Sequence, residues 1–116
     1  MMIDIDTWVK REAGAWSSQD VDRVPELYTD DCVYEDPTAG KSMRGKDEIR
    51  SFLTGAFMMF PDFTVEVQSY FASQDRVCIE AVMKGSFSGT VPGGPFPTGK
   101  TFMVRAAHVC KIEGDK

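Results

Sequence analysis

Long apolar runs are missing from this sequence: no stretch approaches the roughly 20 consecutive apolar residues that a membrane-crossing helix needs. The start, MMIDIDTW, is acidic and unlike a secretory or mitochondrial leader, so a cytoplasmic chain with no membrane partner is expected. Basic residues are also in short supply. Thirteen Lys and Arg stand against 18 Asp and Glu, for a net charge of −5 and a pI near 4.8. A nucleic-acid partner normally meets a basic face, so none is expected. Cysteine is sparse and odd in number. Cys32, Cys78 and Cys110 are widely spaced, which suits reduced, mostly buried thiols better than a disulfide framework. His108 is the single histidine, and with Cys110 two positions on it makes no four-ligand set. No metal is expected, and His108 reads as a satisfied or exposed histidine.

What is present describes one ordinary domain. A chain of 116 residues supports a single core, and 42% hydrophobic with 27% charged residues is the composition of a globular protein. IDIDTWVKREAGAWSS places Ile5, Trp8, Val9, Ala13 and Trp16 at helical spacing, ending near Ser17 and Ser18. Asp20 or Asp22 caps a short second helix running to about Tyr28, with Pro25 tolerable only in its first turn. CVYED, residues 32 to 36, reads as a short strand with Cys32, Tyr34 and Asp36 on one face and Val33 and Glu35 on the other. TAGKSMRG reads as a long loop. KDEIRSFLTGAFMMF follows as the clearest helix, with Ile49, Phe52, Leu53, Ala56, Phe57 and Phe60 on one side and Pro61 closing it.

From Asp62 the period changes to two: FTVEVQSYF, a SQDR turn, VCIEAVMKGSFSG, a Pro/Gly loop, then KTFMVRAAHVCKI. Helices first and a meander afterwards imply an α+β domain, helices covering one face of a curved antiparallel sheet. In the middle strand Ala81, Met83 and Phe87 oppose Glu80, Val82 and Lys84, and the charged set should face water or a partner chain. The closing IEGDK reads as a turn toward one more strand, so a final strand is expected to be missing.

Four features bear on chemistry. GPFPTGKT, Gly94 to Thr101, fits the phosphate-loop pattern G-x-x-x-x-G-K-[ST]. Its context fits poorly, because Pro95 and Pro97 lack the N–H that a phosphate cradle uses and a β-alternating segment follows. It reads as a hairpin connection. Asp36 shares the face of Tyr34 and Cys32, and an inward carboxylate is costly unless it is paired, hydrogen-bonded or used. Either it caps the PTAG turn through its own side chain, or it is a general base in an apolar pocket. Glu12, between Trp8 and Trp16 on the first helix's stripe, is either a boundary residue reaching water or a second site acid. In the last strand, Phe102, Val104, Ala106 and His108 alternate with Met103, Arg105, Ala107 and Val109. If the second set faces inward, Arg105 is the one inward cation and can pair with Glu12, Asp36 or a ligand oxygen; on the other phase it is a surface charge.

The order helix, helix, VYEDP, loop, long helix, meander resembles the cone-shaped nuclear transport factor 2-like superfamily. LYTDDCVYEDPTAG, MRGKDEIRSFL, GSFSG and PFPTGKTFMVRAAHV look most similar to SnoaL-like polyketide cyclases and ketosteroid isomerases, over nearly the whole chain as one domain, residues 1 to 116. The resemblance implies three N-terminal helices packed on a curved sheet, and a homodimer formed through the exposed sheet face. The isomerase's catalytic aspartate falls on Asp36, its tyrosine on Glu12 and its protonated acid on Ala107, so those oxyanion donors are absent. The cyclase's histidine falls on Phe87. In epoxide-hydrolase relatives the arginine falls on Arg105. The combined expectation is an apolar pocket lined by Trp8, Trp16, Tyr34, Phe52, Phe57, Met83 and Phe87, for a small hydrophobic carbonyl compound of polyketide-like or steroid-like type. Asp36 would move a proton next to the carbonyl, Arg105 or protonated Glu12 would stabilise the oxygen, and no cofactor is implied. The alternative is a non-catalytic ligand-binding or protein-association module of the same fold.

Overall fold

A computed structural model describes residues 4–37, 40–113 and 116. Helices α1 (Ile5–Ser17) and α2 (Arg23–Glu26) precede strands β1 (Val33–Asp36) and β2 (Lys41–Arg44); helix α3 (Gly45–Met59) leads to β3 (Thr64–Ser73), β4 (Arg76–Ser86) and β5 (Thr101–Lys111). No helix among the described residues is long and apolar enough to cross a membrane.

Each helix forms for reasons visible in its composition. Trp8, Glu12 and Trp16 recur every four residues in α1 and all three are buried. The helix ends in a Schellman motif: the Gln19 N–H donates to Trp16 O and the Asp20 N–H to Ala15 O, with Gln19 at φ 58 where glycine is usual. Asp20 then caps α2, its Oδ1 accepting from the Asp22 and Arg23 N–H groups. Helix α2 is one turn long, shorter than expected, and closes in i→i−3 bonds, the Leu27 and Tyr28 N–H groups donating to Val24 O and Pro25 O. Helix α3 buries Ile49, Leu53 and Phe57, one residue per turn, toward the core.

TAGKSMRG is not all loop. Lys41–Arg44 pairs antiparallel with β1, Val33 opposite Arg44 and Asp36 opposite Lys41. Among its four residues only Met43 is buried, so no alternation could announce it; pairing with β1 supplies the order. At Gly45 the chain turns from β2 into α3 at φ 78, a left-handed conformation that glycine adopts without strain, and its N–H donates to Cys32 O at 2.8 Å.

The meander is antiparallel in the order β3-β4-β5, and β1-β2 forms a separate two-stranded sheet. A register shift between Val67 and Ser69 bends β3 and adds twist. The helices cover the inner face. Val65, Val67, Ile79 and Ala81 join Trp8, Val9, Trp16, Leu53 and Phe57 in one core. Ser17 closes the seam between α1 and the edge of β3, donating to Val65 O at 3.1 Å and accepting from Val65 N–H at 3.0 Å. Glu80 and Lys84 stand exposed on the outer face. The GPFPTGKT segment is exposed connection and β5 follows it, with no helix to receive a phosphate. The IEGDK turn falls partly on Gly114 and Asp115, outside the described residues.

Candidate functional site

The phase of β5 decides what the interior contains. Directly opposed residues of an antiparallel pair share a face, and β5 sets His108 against Ile79, Ala106 against Ala81 and Cys110 against Val77. Ile79, Ala81 and Val77 are buried, so His108 and Cys110 face inward. Arg105 lies opposite Val82 and is exposed. An inward Arg105 meeting Glu12 is therefore corrected: it belongs to the outer face, and the inward charged residue of this strand is His108.

Glu12 also departs from the reading as a boundary residue that reaches water. It is 4% exposed, the one buried charged residue among the described residues. Its Oε1 lies 3.0 Å from His108 Nδ1, while its Oε2 is buried with no hydrogen-bond partner. Cys110, two residues from His108 on the same face, completes a cluster in which one ligating atom from each residue lies within 4.8 Å of the others. Burial pulls the His108 imidazole down, but the Cys110 and Glu12 side chains outweigh it and raise it to about 11. Burial raises the Cys110 thiol, against a smaller opposing effect of His108.

Aromatic side chains frame this cluster. Tyr34 meets His108 edge to face with ring centroids 6.0 Å apart, and Trp16 at 5.9 Å. The Trp16 Nε1–H donates to the Tyr28 hydroxyl at 3.1 Å. Burial, then the charges of Asp36 and Glu12, push the Tyr34 phenol up to about 12. Burial, then Glu12, raises Tyr28 well above the usual range. Asp36 itself is half-buried on the Tyr34 face of β1. Its other reading, a cap on the turn, involves Thr38 and Ala39, which lie outside the described residues.

The free space is modest and divided. A cavity of about 20 Å³ is bounded by Glu12, Trp16, Tyr34, Met83, Ala106 and His108, among others, enough for about one water molecule. An adjoining cleft of about 240 Å³ is bounded by Trp8, Tyr28, Cys32, Tyr34, His108 and Cys110, among others. Tyr34 and His108 belong to both walls. The remaining aromatics expected in the lining have aromatic neighbours: Phe52 packs on Tyr34, Phe57 on Trp16 and Phe63, and Phe87 on Phe60. The space is thus smaller than the 300–1,000 Å³ usual for drug-sized ligands.

The SnoaL-like polyketide cyclase family profile matches residues 7–116. The chain belongs to this family. Solved structures share its fold. One is a hypothetical protein from Catenulispora acidiphila with a ketosteroid isomerase-like fold, in complex with trimethylamine: 24% identity, 94% of this chain and 78% of that one, TM-score 0.82. IdmH, a putative polyketide cyclase from Streptomyces antibioticus, shows 24% identity over 93% of this chain and 82% of its own, TM-score 0.74. An LEH-like epoxide hydrolase from M. tuberculosis shows 18% identity over 92% and 71%, TM-score 0.70. Curated proteins provide no match. At these identities the structures speak for the fold, and within this SnoaL-like chain the chemistry must be argued from its own residues.

The sequence reading missed His108 because both faces of β5 carry apolar residues and its alternation has no unique phase. One signal could have found it: His108 and Cys110 stand on one face of a strand, and Glu12 is the single charge on the stripe of α1.

Proposed function

We propose that this SnoaL-like domain binds a small carbonyl compound in the cleft beside Tyr34 and His108 and moves a proton on it, as a cofactor-free isomerase or cyclase. The observation that carries this reading is the Glu12–His108 pair, 3.0 Å apart, with His108 forming part of the cleft wall beside Tyr34. The imidazole, held in place by Glu12, and the Tyr34 phenol donate hydrogen bonds to the carbonyl oxygen. Asp36, two residues from Tyr34 on the same face of β1, is not among the residues lining either cavity; in this reading the ligand reaches past Tyr34 to it, Asp36 takes the proton from the neighbouring carbon, the C–H electron pair becomes the enolate, and the same carboxyl returns the proton at the new position. Here His108 takes the oxyanion role that Arg105 cannot reach.

The cleft volume of about 240 Å³ favours a single-ring compound over a fused polycycle unless the aromatic walls part. Thermal-shift measurement with small cyclic ketones tests binding. A ligand at a hundred times its Kd adds roughly 2.7 kcal/mol, a rise of several degrees in a domain of this size. Tyr34→Phe should lower turnover by about a hundredfold while leaving the shift. Absence of any shift across a panel of cyclic ketones and fatty acids would favour the second reading, a non-catalytic association module. That reading draws on the outer sheet face, where Phe71 and Val109 are each 63% exposed and Met103 is 71% exposed.

A further inference from the structure

The Glu12 side chain from α1 and the His108 and Cys110 side chains from β5 bring an oxygen, a nitrogen and a sulfur within 4.8 Å of one another, and one oxygen is idle: Glu12 Oε2 is buried and makes no hydrogen bond. We propose that this cluster binds one divalent metal ion of the zinc type, ligated by the Glu12 carboxylate, the His108 imidazole and the Cys110 thiolate, with the fourth position open to the cleft.

The geometry is close to what such an ion requires. Tetrahedral zinc, with bonds near 2.0 Å to oxygen and nitrogen and 2.3 Å to sulfur, holds its ligand atoms roughly 3.3–3.8 Å apart. The three donors here lie within 4.8 Å of one another. The widest allowed separation must shrink by about an ångström, within reach of small side-chain rotations. His108 and Cys110 are held by the β5 ladder opposite Ile79 and Val77, and Glu12 by the middle of α1, so the donors stand on rigid elements. Glu12 Oε2 has no hydrogen-bond partner among the protein groups around it, and a cation is a partner that would satisfy it.

The donor set also selects the metal. A thiolate beside an imidazole disfavours magnesium and calcium, which prefer all-oxygen shells, and suits zinc or cobalt. Three protein ligands leave a position for water or a small anion, the arrangement of reactive rather than purely structural zinc sites. His108 and Cys110 form part of the wall of the 240 Å³ cleft, which supplies an entry path. The ion and the proton shared by Glu12 and His108 are alternative occupants of one place. The metal site therefore goes beyond the carbonyl reading and does not depend on it.

Cobalt(II) titration of the metal-free protein provides the test, because a cobalt–thiolate bond gives a charge-transfer absorption in the near ultraviolet, and tetrahedral cobalt gives visible bands. Expected are a 1:1 end point, both signals, and their loss on addition of zinc. Cys110→Ser, which keeps the side-chain volume, should abolish the charge-transfer band, and Glu12→Gln should weaken binding at least about tenfold. Cys32→Ser and Cys78→Ser should leave the spectrum unchanged, with circular dichroism confirming that each variant is folded. No 1:1 end point in the parent protein, or a band that survives Cys110→Ser, overturns the proposal. So does a band that vanishes in Cys32→Ser, since Cys32 also borders the cleft. None of these readouts depends on turnover, so a failure of the metal site is distinguishable from a failure of the carbonyl reading.

Discussion

Glu12 Oε1 lies 3.0 Å from His108 Nδ1, and this contact fastens the first helix to the last strand across the core. Removing one partner of a buried pair strands the other. Full burial makes that cost roughly 3–5 kcal/mol, and the 27% exposure of His108 lowers the expectation to about 1–3 kcal/mol for Glu12→Ala. The Glu12→Leu, His108→Leu double variant should lose less than the sum of its singles, because neither charge is left alone. Urea unfolding of the four proteins measures the coupling, and additive losses would show that the two side chains act separately.

Asp36 is the base in the proposed proton transfer. Asp36→Asn removes its basicity with little change of shape, so turnover should fall by about 10²–10⁴ while the thermal shift from a bound cyclic ketone persists. Full activity in that variant would move the base elsewhere, and Glu12 would be the next residue to replace.

Gly89 lies where the β4–β5 connection crosses the end of α3, its N–H donating to Met59 O at 3.1 Å. A Cβ there would come within 1.7 Å of the Met58 carbonyl oxygen, a backbone atom that cannot swing aside. Gly89→Ala should therefore destabilise the fold by about 2 kcal/mol or more. A denaturation midpoint unchanged from the parent would mean that the connection can move away from α3 at no cost.

Asp62 links the start of β3 to the end of β4. Its carboxylate accepts from the Ser86 N–H at 2.8 Å and from the Ser86 hydroxyl at 2.7 Å, and these bonds hold it below its ordinary value. The sign follows from linkage. A carboxyl lowered in the folded state contributes stability above its unfolded pKa of about 3.9, and that contribution is lost as the pH falls through the folded value. Asp62→Asn should flatten this part of the acid limb in urea midpoints taken from pH 5 to pH 2. An unchanged slope would assign the acid sensitivity to other carboxylates.

The helices and the three long strands were legible because each carries enough residues to show its period: Ile49, Leu53 and Phe57 repeat by turns, and Val77, Ile79 and Ala81 alternate. Lys41–Arg44 was not legible, since one buried residue in four has no period. The aspartate end of the proposed site can be read from VYEDP, where two carboxylates precede a proline. Its other end was hidden for two reasons. Glu12 and His108 sit at opposite ends of the chain, and β5 has apolar residues on both faces, so only pairing with β4 fixes which face turns inward. Local patterns report local structure; the phase of an ambiguous strand is a tertiary fact.

The outer face of that same sheet leads to the last prediction. Phe71 stands opposite Cys78 and Cys78 opposite Val109, a row running across all three strands, with Phe71 and Val109 each 63% exposed. Met103, 71% exposed, extends the apolar surface along β5, and Arg105 and Glu80 lie between with opposite charges. A self-complementary face needs apolar area together with charges of both signs that can exchange partners about a two-fold axis, and this face offers both. A homodimer at micromolar concentration is the expected state in sedimentation equilibrium. Val109→Lys puts two like charges near the centre of such an interface and should shift the protein to monomer without lowering its unfolding midpoint measured at dilution, since residue 109 contributes little to the core. A parent protein that sediments as a monomer, or a Val109→Lys variant that still dimerises, would exclude this face as the contact.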